Sequence, residues 1–145
     1  MIVENRRARF EYHILESLEA GLVLTGTEVK SMRAGGVSLS EAYARIRDGE
    51  AWLLGMHIPP YKQGSFSNTE PNRPRKLLLH KEEIARLQSR VGEKGLTIVP
   101  LRLYFTRGIA KVQLGVARGK KLWDKRADAA KRDVEREIAA HVRRS

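Results

Sequence analysis

Histidines and carboxylates are the side chains of this chain that could act as catalysts or metal ligands. The four histidines lie far apart, without the His-Glu-x-x-His spacing that puts two zinc ligands on one helix face. They are His13, His57, His80 and His141. Of the carboxylates, Asp48 precedes Gly49, a pair typical of a tight turn, and Asp124 stands among cations. Spacing alone therefore favours a binding protein over an enzyme.

Other catalytic and cofactor chemistries lack their residues as well. The chain has no cysteine, which excludes disulfides, thiol catalysis and cysteine-ligated zinc. Gly35-Gly36 belongs to no phosphate-binding or dinucleotide motif. We expect no cofactor. A metal site assembled from distant residues stays open, as does a metal-dependent nuclease, whose carboxylates would come from Asp48, Glu50, Asp124 and Asp128.

A cationic run near the C-terminus carries the clearest chemical signal. From Arg118 onward there are ten Lys and Arg against five Asp and Glu, a net charge of +5. Such side chains attract phosphate, and Trp123 could stack on an unpaired base. The cations nearest to this tryptophan are Lys120, Lys121, Lys125 and Arg126. We expect this segment to contact RNA, because it has little apolar surface with which to join a core.

The whole chain has the charge of a nucleic-acid-binding protein. Its 145 residues suit one domain with a real core, and its formal charge is +11. An anionic membrane surface is the other partner that such a charge allows. Nucleic acid is favoured because the chain has neither 18 consecutive apolar residues nor a lipidation signal. The first residues do not resemble a signal peptide, so a cytoplasmic location is expected.

The N-terminal third predicts a strand followed by a short helix. Residues 9–14 alternate between polar and apolar, which is typical of a half-buried strand, and Gly21 interrupts the pattern in the manner of a turn. Thr25 and Glu28 form the pattern of a capping box, which predicts a brief helix ending at Gly35-Gly36. Lys30 and Arg33 would point outward from it.

A hairpin is predicted next. Residues 42–47 alternate, Asp48-Gly49 is a strong turn signal, and residues 51–58 would form the partner strand, with Trp52 inside it. Pro59-Pro60 ends this strand, and residues 63–74 have the composition of a surface loop. Arg45 and Arg47 either contact RNA or form a solvated face.

A helix and two strands complete the body. Two of the three leucines at positions 77–79 are expected in the core. Residues 81–91 carry apolar side chains at spacings of three and four, which predicts the main helix. Residues 96–106 and 109–117 alternate as strands joined by Arg107-Gly108. In the first of these strands, the side chains that would point inward are Val99, Leu101, Leu103 and Phe105. Periodicity alone thus predicts a mainly β fold with one principal helix.

The last 28 residues differ from the rest. One helical stripe contains only three medium-sized apolar side chains, Val134, Ile138 and Val142. Burying all three would contribute roughly 1.5 to 3 kcal/mol each, which cannot offset a backbone entropy loss of roughly 1 to 2 kcal/mol per residue over more than 20 residues. We therefore expect residues 118–145 to be a basic tail, disordered alone and helical when RNA neutralises it.

Five blocks of the chain resemble one known family in the same order. The most specific is Gly-Val-Ala-Arg-Gly-Lys-Lys-x-x-Asp-Lys-Arg at residues 115–126. The others are residues 5–12, 19–22, 28–35 and 73–79. Together they resemble the SmpB family of bacterial SsrA-binding proteins. The resemblance implies an OB-like closed antiparallel β-barrel over residues 1–117, with a short helix and a longer one, followed by the basic C-terminal tail 118–145.

The same resemblance implies a function. A protein of this family is not an enzyme: it binds the tRNA-like part of transfer-messenger RNA and brings it to stalled ribosomes for rescue and peptide tagging. Alanyl-tRNA synthetase and elongation factor Tu are indirect partners, and the tail probes the empty mRNA channel near the decoding site. We expect a monomer. The alternative is a basic OB-like ribosomal or ribosome-assembly protein that binds rRNA.

The resemblance also suggests which residues bind. Asn5, Glu19 and Leu78 match positions with which the family holds its RNA, and Tyr104 could stack on a base. The full set of expected RNA contacts is Asn5, Arg6, Arg7, Glu19, Lys30, Arg33, Arg75, Lys76, Leu78, Tyr104 and Lys111. The residues expected to bind the ribosome from the tail are Lys120, Lys121, Trp123, Asp124, Lys125, Arg126 and Ile138.

Overall fold

The computed structural model describes residues 2–61, 70–93 and 95–120. The elements are β1 (Val3–Glu4), α1 (Arg6–Glu11), β2 (Tyr12–Leu22), α2 (Gly26–Ala34), β3 (Tyr43–Arg47), β4 (Glu50–Leu54), β5 (Arg75–Leu78), α3 (Lys81–Val91), β6 (Leu96–Thr106) and β7 (Ile109–Gly119). The prediction of a mainly β protein with helices is confirmed. Most of the predicted tail lies outside the described residues, including Lys121, Trp123, Asp124, Lys125, Arg126 and Ile138.

Six antiparallel strands form a closed ring. Their order is β6-β3-β4-β5-β2-β7, and β7 pairs again with β6 along nearly its whole length. The narrowest junction is between β3 and β6, where Ala44 pairs with Ile98. The two-residue β1 pairs with β6 farther along, at Leu103 and Arg102. Each of the six strands therefore has a neighbour on both sides, which protects its backbone groups.

The core fills the inside of this ring. Leu53, Leu103 and Leu114 are fully buried there, and Met32 from α2 and Leu87 from α3 pack against the same cluster. A second, smaller cluster lies on the other side of β6 and β7, beneath α1. Its buried members are Ala8, Val99, Leu101 and Ala117. The two clusters are the reason why β6 and β7 are buried on both faces over part of their length.

The strand predicted for residues 9–14 is wrong in its first half. Asn5 caps α1 by accepting a hydrogen bond from the backbone N–H of Ala8 at 3.1 Å, and the helix continues to Glu11. The alternation would place Phe10 on the buried face with Tyr12 and Ile14, yet Phe10 is 42% exposed. The strand begins only at Tyr12. Six alternating residues are too few to outweigh a side-chain cap and a buried alanine one turn later.

The turn predicted around Gly21 is also wrong. Strand β2 runs through this residue, which pairs with Lys111 on one side and Leu78 on the other. A Cβ atom added to Gly21 would lie 3.2 Å from the Cβ of Leu78. Glycine here permits the close approach of β5 rather than a reversal of the chain.

A β-bulge divides β6 into two halves. Its register against β7 shifts between Pro100 and Arg102, because one residue there has no partner. Val99 and Leu101 therefore face the cluster under α1, whereas Leu103 faces the ring interior. The prediction that these residues share one face is wrong for that reason.

Other predicted elements are confirmed. The capping box of Thr25 and Glu28 begins α2, and α3 spans residues 81–91. Both hairpin turns have the positive φ angles that such turns need: 53° and 74° at Asp48 and Gly49, and 52° and 78° at Arg107 and Gly108. Of the three leucines at 77–79, Leu77 is buried in the core and Leu79 packs against it, which confirms the expectation that two of the three join the core.

Strand β4 is shorter than predicted. It ends at Leu54, where Gly55 takes a φ of 76°, instead of extending to residue 58. An added Cβ at Gly55 would approach the backbone oxygen of Glu41 within 2.4 Å. The chain therefore turns at this glycine, and in place of a continued strand an isolated bridge joins His57 to Ser38.

Candidate nucleic-acid interface

Four residues of the predicted RNA-binding set meet on one outer face of the ring, although they are up to 92 positions apart. Leu78 of β5 pairs with Gly21 of β2, and Gly21 pairs on its other side with Lys111 of β7. Lys111 in turn pairs with Tyr104 of β6. Glu19 lies two residues before Gly21, on the same face of β2. Strand pairing thus assembles a site that no local motif encodes.

The carboxylate of Glu19 is held yet remains open to solvent. The hydroxyl of Tyr104 donates a hydrogen bond to its Oε2. The ammonium of Lys111 lies 3.9 Å from its Oε1. The side chain of Glu19 is nevertheless 51% exposed. The site therefore presents a fixed acceptor beside a cation to any ligand that approaches this face.

The phenol of Tyr104 keeps its proton over the physiological range. Burial, together with the hydrogen bond and negative charge of Glu19, raises the pKa of Tyr104 to about 12, although the nearby Arg102 lowers it. The guanidinium of Arg102 stacks 5.6 Å from the centre of the tyrosine ring. Tyr104 is thus a hydrogen-bond donor to Glu19 at neutral pH.

A groove of about 500 Å³ opens beside Glu19 and Lys111. Two large apolar side chains line it in exposed positions: Leu78 is 54% and Ile109 is 55% exposed. Apolar surface next to fixed polar groups suits the face and the edge of a nucleobase. Ile109 was not predicted as a site residue, because its place after a hairpin turn gives no functional signal in sequence.

Asn5 is not at the surface, which corrects its assignment as a direct RNA contact. It is 5% exposed, and its amide nitrogen donates to the backbone oxygens of Leu39 at 3.2 Å and Pro100 at 2.8 Å. Its side-chain oxygen caps α1 through Ala8. Asn5 therefore fixes the position of the helix that carries the neighbouring arginines.

The two arginines that follow Asn5 are exposed at the start of α1. Arg7 donates from Nε to Glu11 at 2.9 Å and from Nη1 to Glu41 at 2.6 Å. These hydrogen bonds, and the charges of the same two carboxylates, raise the pKa of Arg7. Arg6 is exposed as well. α1 therefore presents cationic side chains on a face separate from the residues that line the groove beside Glu19.

Arg75 is also unavailable as an RNA contact, contrary to the prediction. It is fully buried, with hydrogen bonds to Glu28 from Nε at 2.8 Å and Nη2 at 2.6 Å. It also donates to the backbone oxygens of Met56 at 2.6 Å and Pro71 at 2.9 Å. Its role is to attach α2 and the segment before β5 to the ring.

The carboxylate of Glu28 is the centre of this buried ion-pair cluster. Arg73 binds it from a second direction. Burial alone would raise the pKa of Glu28, but hydrogen bonds from Arg73, Thr25 and Arg75 outweigh burial and hold the pKa below its ordinary value. Glu28 therefore stays charged at neutral pH.

Three further predicted contacts lie elsewhere on the surface. Lys30 lies over the ring of Tyr61 at 6.0 Å, and Arg33 stacks over Phe105 at 4.3 Å. Lys76 pairs with Glu50 at 3.3 Å. None of the three lines the groove beside Glu19 within the part of the chain that the structure describes.

Lys120 marks the end of the described chain and contacts α1. Its backbone N–H donates to the carbonyl of Glu11 at 2.7 Å, and its Nζ donates to the carbonyl of Arg9 at 3.4 Å. Arg118 and Gly119 are still paired within the ring, two positions beyond the end predicted for the last strand. The remaining tail residues of the predicted site lie outside the described chain.

Within residues 2–61, 70–93 and 95–120, no group of three or more histidine, aspartate or glutamate side chains could hold a metal ion. Over the same ranges no helix has the length and apolar character needed to cross a membrane.

Comparison with known proteins identifies the family. The SmpB protein family model matches residues 2–144. An SsrA-binding protein of Desulforudis audaxviator is 60% identical over 142 residues, covering 98% of this chain and 93% of the relative. One of Carboxydothermus hydrogenoformans is 58% identical over 143 residues, covering 99% and 96%.

A solved structure shares the fold as well as the sequence. It is described as "tmRNA-SmpB: a journey to the center of the bacterial ribosome", and its chain is 58% identical with a TM-score of 0.70. The match covers 83% of this chain and 85% of that one. By sequence and by fold, this chain belongs to the SmpB protein family.

Proposed function

We propose that this protein binds the tRNA-like part of transfer-messenger RNA and delivers it to stalled ribosomes for rescue and peptide tagging. The observation that carries the proposal is the convergence of Glu19, Leu78, Tyr104 and Lys111 on one exposed face of a chain with a charge of +11. Its relatives are named SsrA-binding proteins, and the solved neighbour's description joins SmpB with tmRNA and the bacterial ribosome.

The closed ring of strands is, in this proposal, an OB-like barrel. In such barrels one face of the sheet and the adjoining loops bind oligonucleotides. The groove beside Glu19 lies on the outer face of β2 and β7. A filled interior keeps these strands in a fixed register, so the groove exists before RNA binds. A preformed groove reduces the entropy lost on binding.

The folded part of the protein, before the tail, contacts the RNA in two ways. The groove supplies hydrogen bonds and apolar packing to an unpaired nucleotide, while exposed cations elsewhere attract phosphates and position the RNA. These cations are Arg6, Arg7, Lys30, Arg33 and Lys76. Buried Asn5 and Arg75 act through the fold, by fixing α1 and α2.

Beyond the end of β7 and its contact through Lys120, the basic tail has the ribosome as its partner. Its cations would bind rRNA phosphates, and Trp123 would stack on a base near the decoding site. We assign the probing of the empty mRNA channel to this tail, which becomes helical there, with Asp124 and Ile138 among its contacts. The protein works as a cytoplasmic monomer without catalysis of its own. Alanyl-tRNA synthetase and elongation factor Tu act on the RNA that it carries.

A competition experiment tests this function. Labelled transfer-messenger RNA is bound to the full chain at fixed salt and displaced by itself, by ordinary tRNA or by rRNA fragments. Displacement by unlabelled transfer-messenger RNA at the lowest concentration supports the proposal. Equal or better displacement by rRNA fragments would favour a ribosomal or assembly protein instead. Because phosphates are contacted, affinity should also fall by roughly 10³ to 10⁵ between 50 and 200 mM salt if about 6 to 10 phosphates are neutralised.

A further inference from the structure

We propose that the groove beside Glu19 binds one unpaired guanine, that Glu19 and Lys111 read its Watson–Crick edge, and that Tyr104 is the positioning residue for Glu19. This inference rests on the proposed function, since it names the base that the same surface recognises.

The edge of guanine matches this pair of side chains. Guanine presents the O6 acceptor, the N1–H donor and the N2 amino donor in a row. A carboxylate only accepts hydrogen bonds and an ammonium only donates them. With Nζ of Lys111 3.9 Å from Oε1 of Glu19, the ammonium can donate to O6 while the carboxylate accepts from N1–H and N2.

The other bases fit this pair poorly. Adenine and cytosine each place a ring-nitrogen acceptor beside their amino group, and uracil places carbonyl oxygens on both sides of its one N–H. Each would bring an acceptor against the carboxylate of Glu19, which costs binding energy because neither atom has a proton to share. The arrangement of charge in the groove therefore selects guanine.

Tyr104 determines how the carboxylate is presented. Its hydroxyl, on β6, donates to Oε2 of Glu19 on β2, and β7 lies between the two strands. This bond uses one lone pair of Oε2 and fixes the rotation of the carboxylate. Oε1 and the remaining lone pair of Oε2 stay available, consistent with a side chain that is 51% exposed.

The walls of the groove suit the flat face of the base. Leu78 and Ile109 offer exposed apolar surface, and Gly21 has no side chain between Glu19 and Leu78. The second carboxylate on the rim, Glu83, accepts a hydrogen bond from the backbone N–H of His80 at 2.9 Å. Glu83 is thus engaged in capping α3, which leaves Glu19 to accept from the base.

Inosine substitution tests the assignment, because inosine keeps O6 and N1–H of guanosine but lacks the N2 amino group. The tRNA-like RNA is transcribed with a small fraction of phosphorothioate-tagged inosine, and the bound and free fractions are cleaved with iodine. At one unpaired guanosine, inosine should be depleted from the bound fraction about tenfold, the effect of one hydrogen bond to a charged group. In Glu19→Ala the depletion at that position should disappear, while other positions stay unchanged.

Variants of tyrosine test the positioning role. Tyr104→Phe keeps the ring but removes the donor, so binding should weaken about threefold to tenfold and the inosine effect at the same position should shrink. Tyr43→Phe, at an exposed position of β3, is the matched control and should change neither the binding affinity nor the inosine effect. Weaker binding with an unchanged inosine effect would make Tyr104 merely structural and would overturn its assignment.

Two outcomes would overturn the guanine assignment: no unpaired guanosine is sensitive to inosine, or the sensitivity persists in Glu19→Ala. If the wild-type chain still prefers the tRNA-like RNA in either case, the proposed function stands and only this inference fails. Loss of that preference in the competition experiment would instead remove the proposed function itself.

Discussion

The guanidinium of Arg75 and the carboxylate of Glu28 form a two-point ion pair inside the protein, with nitrogen–oxygen distances of 2.8 and 2.6 Å. Both side chains are buried, and they join β5 to α2 across 47 positions of sequence. Arg75 also donates hydrogen bonds to the backbone oxygens of Met56 and Pro71. This pair connects the helix to the ring inside the protein.

Removing one member of this pair should destabilise the fold strongly. Arg75→Met removes two hydrogen bonds to the buried Glu28, leaving it to Arg73 and the backbone N–H of Thr25, and removes the arginine donor from the carbonyl of Met56. The free energy of unfolding should therefore fall by about 3 to 5 kcal/mol. Lys76→Met, one residue along the same strand but exposed, is the control and should change it by at most about 0.5 kcal/mol. Urea denaturation compares the two. Equal effects would refute a structural role for Arg75.

The stability provided by Glu28 should depend on pH in a defined direction. The folded-state pKa of Glu28 lies below its ordinary value of 4.5, so the unfolded chain takes up the proton first. The contribution is present above about 4.5 and is lost as the pH falls through the folded-state pKa. The difference in unfolding free energy between wild type and Glu28→Gln should therefore shrink between pH 7 and pH 3. A constant difference over that range would contradict the assignment.

Arg75 also shows what sequence patterns cannot supply. Its neighbourhood is basic, so it was expected at the surface with Lys76, yet its burial depends on a carboxylate 47 positions away. The alternation of β5 puts Arg75 and Leu77 inward and leaves Leu78 exposed. The run Arg-Lys-Leu-Leu-Leu at residues 75–79 has no alternation of polar and apolar residues, so the sequence does not show which side chains point inside.

Local signals were sufficient where the structure itself is local. The capping box of α2 and the turns at Asp48 and Arg107 depend on neighbouring residues, and all three were predicted. The bulge at Pro100 was not predicted, because it depends on pairing with β7. Likewise, the family resemblance pointed to Glu19, whereas its partners Tyr104 and Lys111 are joined to it only by the closed ring.

The titration of Tyr104 should report its bond to Glu19. Its pKa of about 12 reflects burial first and Glu19 second, so Glu19→Gln should lower the value while leaving it above 10. NMR of tyrosine labelled at the phenol carbon measures each pKa, and Tyr104→Phe identifies the signal. An unchanged pKa in Glu19→Gln would show that the hydrogen bond does not form in solution.

Removal of the tail should separate RNA binding from tagging. Truncation after Lys120 keeps the pairs of Arg118 and Gly119 with β2 and the contact of Lys120 with Glu11. Binding of the tRNA-like RNA should change little, while peptide tagging on stalled ribosomes in a reconstituted translation reaction should be abolished. Truncation after Ala117 removes those pairs and should also lower the melting temperature. Tagging by the protein that ends at Lys120 would rule out the role assigned to the tail.

The central claim is tested most directly by the RNA affinity of a groove variant that keeps the net charge of the wild type. The double variant Glu19→Gln, Lys111→Gln loses one negative and one positive charge, so its net charge is that of the wild type. The control Arg90→Gln, Glu93→Gln removes in the same way a pair at 3.5 Å at the C-terminal end of α3, outside the groove. Binding of the tRNA-like RNA at fixed salt should weaken at least about tenfold in the groove variant and stay within about twofold in the control. Equal affinities for the two variants would contradict recognition by this groove.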